Sequence, residues 1–255
     1  MRKMNLFMEE IEKMNQGTVK VIQFSGENEE ARISMPIADA ERCIRKDGLE
    51  DFLQMVSEEI AKAEDMLKDF NMNLDTYLGN VLPVVINRKN NEEMLRSVPH
   101  EVVNEELALI YRAFLDNERN FIVQHGMYSE KVKEAAFRNL RQKILINSLT
   151  GCFFGFPHNL TVEEACELIK EGPIVVRTEL FGAAAMLLPE LEKLMDGCYI
   201  IPSSIHEIIL VDKEIMDLNY AKSMVQEVNH DVVDQKDFLS DEVFELINEK
   251  IVVAK

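Results

Sequence analysis

Apolar positions along the chain follow two different periods, and blocks of each kind alternate. Between 49 and 70, Leu49, Phe52, Leu53, Val56, Ile60, Ala63 and Leu67 recur at steps of three and four, while Glu50, Glu58, Glu59, Glu64 and Asp65 fill the remainder. One apolar stripe against a charged face predicts an amphipathic helix. Upstream, Ala31, Ile33 and Met35 alternate with Arg32 and Ser34, the period-two pattern of a half-buried strand. Residues 18–24 read as its partner strand, with Ser25-Gly26-Glu27-Asn28 as the turn of a hairpin. Residues 4–14 read as a short helix.

Downstream, 81–87 is an apolar run expected to be a strand, with Pro83 near its start pointing to an edge or a bulge. Residues 90–98 read as a short helix stopped by Pro99. The runs 107–114 and 120–124 read as a strand pair around Asp116-Asn117-Glu118-Arg119, although 107–114 also suits a helix. Ser129 is placed to cap a helix to about 146, whose stripe is Val132, Ala136, Leu140 and Ile144. Gly151, Gly155 and Pro157 then mark an aromatic-rich connection over 148–160.

Thr161 with Glu164 three residues on is a capping-box signature, and Gly172-Pro173 is a stop for that helix. Residues 174–178 read as a strand and 183–195 as mainly helix, divided at Pro189. Strands are expected at 198–202 and 207–212, antiparallel and broken at Pro202, which has no N–H for a ladder. Ile208-Ile209-Leu210-Val211 does not alternate, as expected of a strand covered on both faces. A helix at 217–228 turns Ala221, Met224, Val225 and Val228 inward, and 243–247 with 251–254 form a last strand pair around Asn248-Glu249-Lys250. The fold class expected is α+β, with mixed or antiparallel sheets packed with helices in two lobes, 1–150 and 151–255.

Composition narrows the functions available. The 255 residues are 47% apolar, enough for a real core. Lys and Arg total 28 against 46 Asp and Glu, a formal charge of −18, so direct nucleic-acid binding is not expected. The best basic cluster, Lys131, Lys133, Arg138, Arg141 and Lys143, lies on the helix after Ser129. Met1-Arg2-Lys3-Met4 leads into polar and acidic residues, so no signal peptide is expected, and no apolar run is long enough to span a membrane. The cysteines Cys43, Cys152, Cys166 and Cys198 are scattered without a C-x-x-C pair, which argues against a zinc ribbon or a disulfide framework. A cytoplasmic address follows by default.

No phosphate-binding glycine loop, H-E-x-x-H, EF-hand loop or G-x-S-x-G elbow is present. The five histidines lack ligand spacing, so no metal and no cofactor are expected. The densest polar cluster in apolar surroundings is Pro202-Ser203-Ser204-Ile205-His206-Glu207. If extended, it sets Ser204 and His206 on one face. They are weak catalytic candidates, a nucleophile beside a base without an orienting acid. Otherwise the serines bond nearby backbone in a turn. A second polar cluster joins Val98-Pro99-His100-Glu101 to Asn87-Arg88-Lys89-Asn90-Asn91-Glu92, where Arg88, Lys89 and Arg96 could hold an anion. Binding candidates are therefore Ser203, Ser204, His206, Glu207, Arg88 and His100.

These segments carry a resemblance. Leu82-Pro83-Val84-Val85-Ile86-Asn87-Arg88, Asn91-Glu92-Glu93-Met94-Leu95, Val98-Pro99-His100, Gly182-Ala183-Ala184, Leu188-Pro189, Tyr199-Ile200-Ile201-Pro202-Ser203-Ser204-Ile205-His206-Glu207, Val225-Gln226-Glu227-Val228-Asn229 and Leu239-Ser240-Asp241-Glu242-Val243 together resemble a bacterial family known only as a domain of unknown function, common in clostridial gut bacteria. The resemblance spans roughly 35–250. It implies a cytoplasmic bacterial protein, of a kind carried on mobile or phage-like elements, and it assigns no activity and no site residue. The functional expectation is a non-enzymatic binding or regulatory protein whose partner is another protein. The alternatives are a small hydrolase-like enzyme using Ser204 and His206, or an acidic decoy of a nucleic-acid-binding protein.

Overall fold

A computed structural model describes residues 4–13, 17–25, 32–72, 74–114 and 120–255. The chain opens with strands β1 (Asn5–Lys13), β2 (Gly17–Ser25) and β3 (Arg32–Pro36), which pair in order as one antiparallel sheet. Helices α1 (Ile37–Asp47), α2 (Leu49–Met72) and α3 (Leu74–Gly79) follow. Phe24 on β2 meets Phe52 on α2 edge to face, ring centroids 5.8 Å apart. Ala40, Val56 and Ile60 complete this small core. Of the stripe read over 49–70, Phe52, Val56 and Ile60 are the buried packing face of α2, with Leu53 against it, whereas Leu49 is exposed at the helix start and Leu67 lies outside the described side chains.

Residues 4–14 are a correction, since 5–13 is strand. Its Met, Glu and Lys content suits a helix. Pairing with β2 along its whole length, from Asn5 opposite Ser25 to Lys13 opposite Gly17, overrides that local preference. The helices α1 and α3 were not anticipated. The turns expected near 26–28 and 116–119 lie outside the described residues.

The second sheet is antiparallel, built from β4 (Val81–Asn87), β5 (Glu101–Val102), β6 (Leu107–Phe114) and β7 (Asn120–Ile122), with helix α4 (Glu92–Leu95) between β4 and β5. Among the described residues β4 pairs only with β6, which accommodates Pro83 on an edge strand, yet every residue of β4 is buried. It packs against helix α5 (Glu130–Lys143) and against a 3-10 turn at Gly182–Leu187. Ser129 sits at the α5 N-cap position, but its hydroxyl makes no capping bond.

The third sheet has six antiparallel strands: β8 (Leu145–Ser148), β9 (Ile174–Arg177), β10 (Cys198–Ser204), β11 (Glu207–Asp212), β12 (Phe244–Ile247) and β13 (Lys250–Val253). Their spatial order is β13-β12-β10-β11-β9-β8. Helices α6 (Leu149–Phe153) and α7 (Val162–Leu168) lie between β8 and β9, α8 (Glu192–Met195) precedes β10, and α9 (Leu218–Asp231) follows β11. The Thr161–Glu164 capping box is formed. Helix α5 ends at Lys143 rather than near 146, because 145–148 pairs with β9. The stretch 183–195 is broken more than expected, into two 3-10 turns and the single turn α8, with Pro189 opening the second piece. Val228 remains exposed on α9. The class is α+β. The main buried cluster runs from Tyr77 to Ile251 and draws side chains from both sides of 148–160.

Candidate functional site

The strand expected to end at Pro202 runs on to Ser204, so the β10–β11 turn is only 205–206, and it is built as a knot of three chain segments. The β10–β11 register shifts between Ile201 and Ser204, where Pro202 cannot donate, and resumes with Ser204 opposite Glu207. The Ser203 hydroxyl donates to the Glu207 carboxylate at 3.0 Å, and the Ser204 hydroxyl accepts the His206 N–H at 3.1 Å. The His206 ring stacks on Phe181, centroids 5.6 Å apart and planes 28° from parallel. Its Nδ1 accepts the Phe181 N–H at 3.1 Å, which leaves the ring proton on Nε2, 3.3 Å from the Asp237 carboxylate. Backbone bonds repeat the linkage: Ala183 N–H donates to Ile205 C=O at 3.2 Å, and Ile205 N–H to Asp237 C=O at 2.9 Å.

Local conformation explains why these residues meet. Phe181 has φ of 62°, a left-handed backbone that costs a bulky residue strain. The ring and Nδ1 of His206 hold it there, and the Arg112 guanidinium lies over the Phe181 ring at 5.6 Å. Burial brings the Arg112 pKa down to about 10. Gly182 follows, where a Cβ would come within 2.2 Å of the His206 carbonyl oxygen, so only glycine permits the approach. Chemically, both ring nitrogens are engaged away from Ser204, and the Ser204 oxygen serves the backbone.

The second cluster forms a separate cleft of about 400 Å³, lined by Arg88, Lys89, Glu92, Arg96, His100 and Glu105 among others. Arg88 and His100 meet here, and none of 203–207 reaches it. Lys89 pairs with Glu106, and Arg96 lies 3.7 Å from Glu92. The His100 Nδ1 bonds the Val98 carbonyl at 3.1 Å, turning Nε2 outward. Carboxylates thus offset most of the positive charge that could hold an anion. Asn87 beneath the cleft is buried, donates to the Leu239 carbonyl at 3.0 Å and accepts the Asn90 N–H at 2.8 Å.

A further cleft, not anticipated from the sequence, opens between β5, α5, the 186–192 turns and the β12–β13 hairpin, with a volume of about 580 Å³. Its floor is apolar, with Leu109, Phe137, Met186, Leu188 and Leu246. At one end the Glu101 carboxylate accepts from the Tyr111 hydroxyl at 2.6 Å and from the Lys133 ammonium at 2.7 Å. Burial alone would raise the Glu101 pKa, but the hydrogen bonds from Lys133 and Tyr111 and the Lys133 charge outweigh it and hold the carboxyl below its ordinary value. Burial, then Glu101, pushes the Tyr111 phenol above its usual range. Arg141, two turns beyond Lys133 on α5, pairs with Glu190. The sequence signal for this cleft was the basic cluster on α5. Its meaning was hidden because the pairing carboxylates lie 32 and 49 positions away.

Among the described residues no group of three or more His, Cys, Asp or Glu is placed to hold a metal ion, and no helix is long and apolar enough to cross a membrane. No curated protein and no solved structure matches the chain. Over residues 1–246 it matches the family described as "Family of unknown function (DUF5688)", and it belongs to that family.

Proposed function

We propose that this member of a family of unknown function is a non-enzymatic binding protein that works through protein–protein contacts, and that the 580 Å³ cleft beside α5 receives a segment of its partner. The observation that carries this reading is the cleft's make-up: an apolar floor large enough for several side chains, under a rim of charged groups that fixes orientation. The 202–207 segment supports it from the other side. Ser204 and His206 spend their polar atoms on the fold, so a hydrolase reading lacks a base aimed at the hydroxyl. The scattered thiols suit a reducing bacterial cytoplasm.

The test is affinity capture from the host with the wild-type chain, Val102→Glu in the exposed cleft wall, and Ser204→Ala. A partner retained by wild type and Ser204→Ala but lost by Val102→Glu at unchanged melting temperature is the expected result. Capture indifferent to Val102→Glu overturns the cleft as the site. A hydrolytic activity abolished in folded Ser204→Ala and His206→Ala overturns the non-enzymatic reading.

A further inference from the structure

β13 is a terminal strand of its sheet, paired on one side with β12. The hairpin between them turns in two residues, Asn248 and Glu249, both with positive φ (49° and 61°), so Ile247 and Lys250 form the closing hydrogen-bonded pair. The Ala254 N–H donates to the Val243 carbonyl at 2.8 Å, which fixes the same alternation at the other end. In an antiparallel ladder every second residue then faces away from its partner strand. On β13 these are Ile251 and Val253. The Ile251 carbonyl reaches outward to accept from the Asn104 side-chain amide at 3.2 Å. The Ile251 N–H and both backbone groups of Val253 have no other strand beside them among the described residues.

This free edge borders the cleft, since Lys250 and Ile251 line it. The rim charge is unequal. Lys133 is taken by Glu101 and Arg141 by Glu190, whereas Glu134, Glu192 and Glu249 have no cation partner among the described residues, and Lys250 faces them alone. A strand laid along β13 would alternate its side chains, one set onto the apolar floor and the other toward the rim.

We propose that the cleft binds an extended peptide segment with alternating apolar and basic residues, which adds as a strand to the outer edge of β13. The inference rests on the protein-binding reading and names the partner's chemistry. Backbone bonds to the Ile251 N–H and to both backbone groups of Val253 supply affinity, the floor selects apolar side chains, and the unpaired carboxylates select lysine or arginine.

The experiment measures fluorescence anisotropy of labelled eight-residue peptides with the full chain. The probes are alternating Val/Lys, alternating Val/Glu, and Val/Lys with backbone N-methyl groups on one edge or on the other. Val/Lys is expected to bind, Val/Glu not. N-methylation of one edge should abolish binding while the other is tolerated. Charge reversal at the rim, Glu134→Lys/Glu192→Lys, should weaken Val/Lys binding by about tenfold or more, against little change for Glu50→Lys/Glu58→Lys on the distant face of α2. Equal effects of the two double variants, or indifference to N-methylation, overturn the proposal. Absence of Val/Lys binding, with captured partner still lost by Val102→Glu, overturns the strand mode and leaves the protein-binding reading standing. Capture insensitive to Val102→Glu removes both.

Discussion

Glu101 shows how far a single side chain's chemistry depends on neighbours distant in sequence. Its carboxyl is half exposed, yet two donors hold it ionised below the ordinary glutamate range. A carboxyl whose folded pKa is depressed contributes stability above its unfolded pKa, and that contribution disappears as pH falls through the folded value. Lys133→Met removes the stronger of the two favourable partners while burial still disfavours the anion. The Glu101 pKa should then rise, and the acid limb of the stability profile should move to higher pH. Carboxyl NMR titration of wild type and Lys133→Met reads the first, and urea unfolding between pH 3 and about 6 the second. An unchanged Glu101 titration would mean that the pair is not formed in solution. At this scale the sequence revealed chemistry bonded locally. Pro202 marked a shift of register inside β10 rather than the strand's end, which comes at Ser204, and Ser204 bonds the backbone two residues on. It did not reveal that His206 meets Phe181 and Asp237, 25 and 31 positions away, because no periodicity encodes such contacts.

Elements were legible where one period ran long enough or a turn residue fixed an end. The stripe of α2, the alternation of β3, the capping box of α7 and the β10–β11 hairpin all follow from local pattern. β1 was misread because residues good for helix also serve on a strand when a long partner is available. β8 was missed because its pairing with β9 crosses the helices between them. The connection after β8 holds the opposite surprise. Phe153, Phe154 and Phe156 are 81%, 75% and 83% exposed, around a left-handed Gly155. Aromatic residues in a sequence suggest core, but these lie outside it. Replacing all three with serine should therefore change unfolding free energy by no more than about 0.5 kcal/mol per site. Binding of a hydrophobic dye to the native protein should fall. A loss of several kcal/mol in denaturant titration would show that the knuckle packs on the body of the protein.

On the scale of the whole molecule, segments far apart in the chain converge on 234–241. Asn87 donates to Leu239 across 152 positions, Asn229 donates to the Ser240 carbonyl and the Asp241 carboxylate, and His206 and Ile205 bind Asp237. Segments that carried the family resemblance thus act together as fasteners of one stretch of chain, tying the sheet of β4 to that of β10 and β11. If 234–241 is a shared element, its fasteners are thermodynamically coupled. Asn87→Ala leaves a buried carbonyl without its donor and should cost about 1–3 kcal/mol. His206→Ala loses two ring hydrogen bonds and the stack on Phe181, for a similar cost. Once either is lost, the stretch is partly freed and the other fastener holds less in place. The double variant should then be less destabilised than the sum of the singles by at least about 0.5 kcal/mol, measured by urea unfolding as a double-mutant cycle. Additivity within about 0.3 kcal/mol would mean that the two ends of the stretch are held independently. Coupling would instead mean that the polar residues of the resemblance are kept together by one mechanical task, leaving the cleft beside α5 free to carry the binding role.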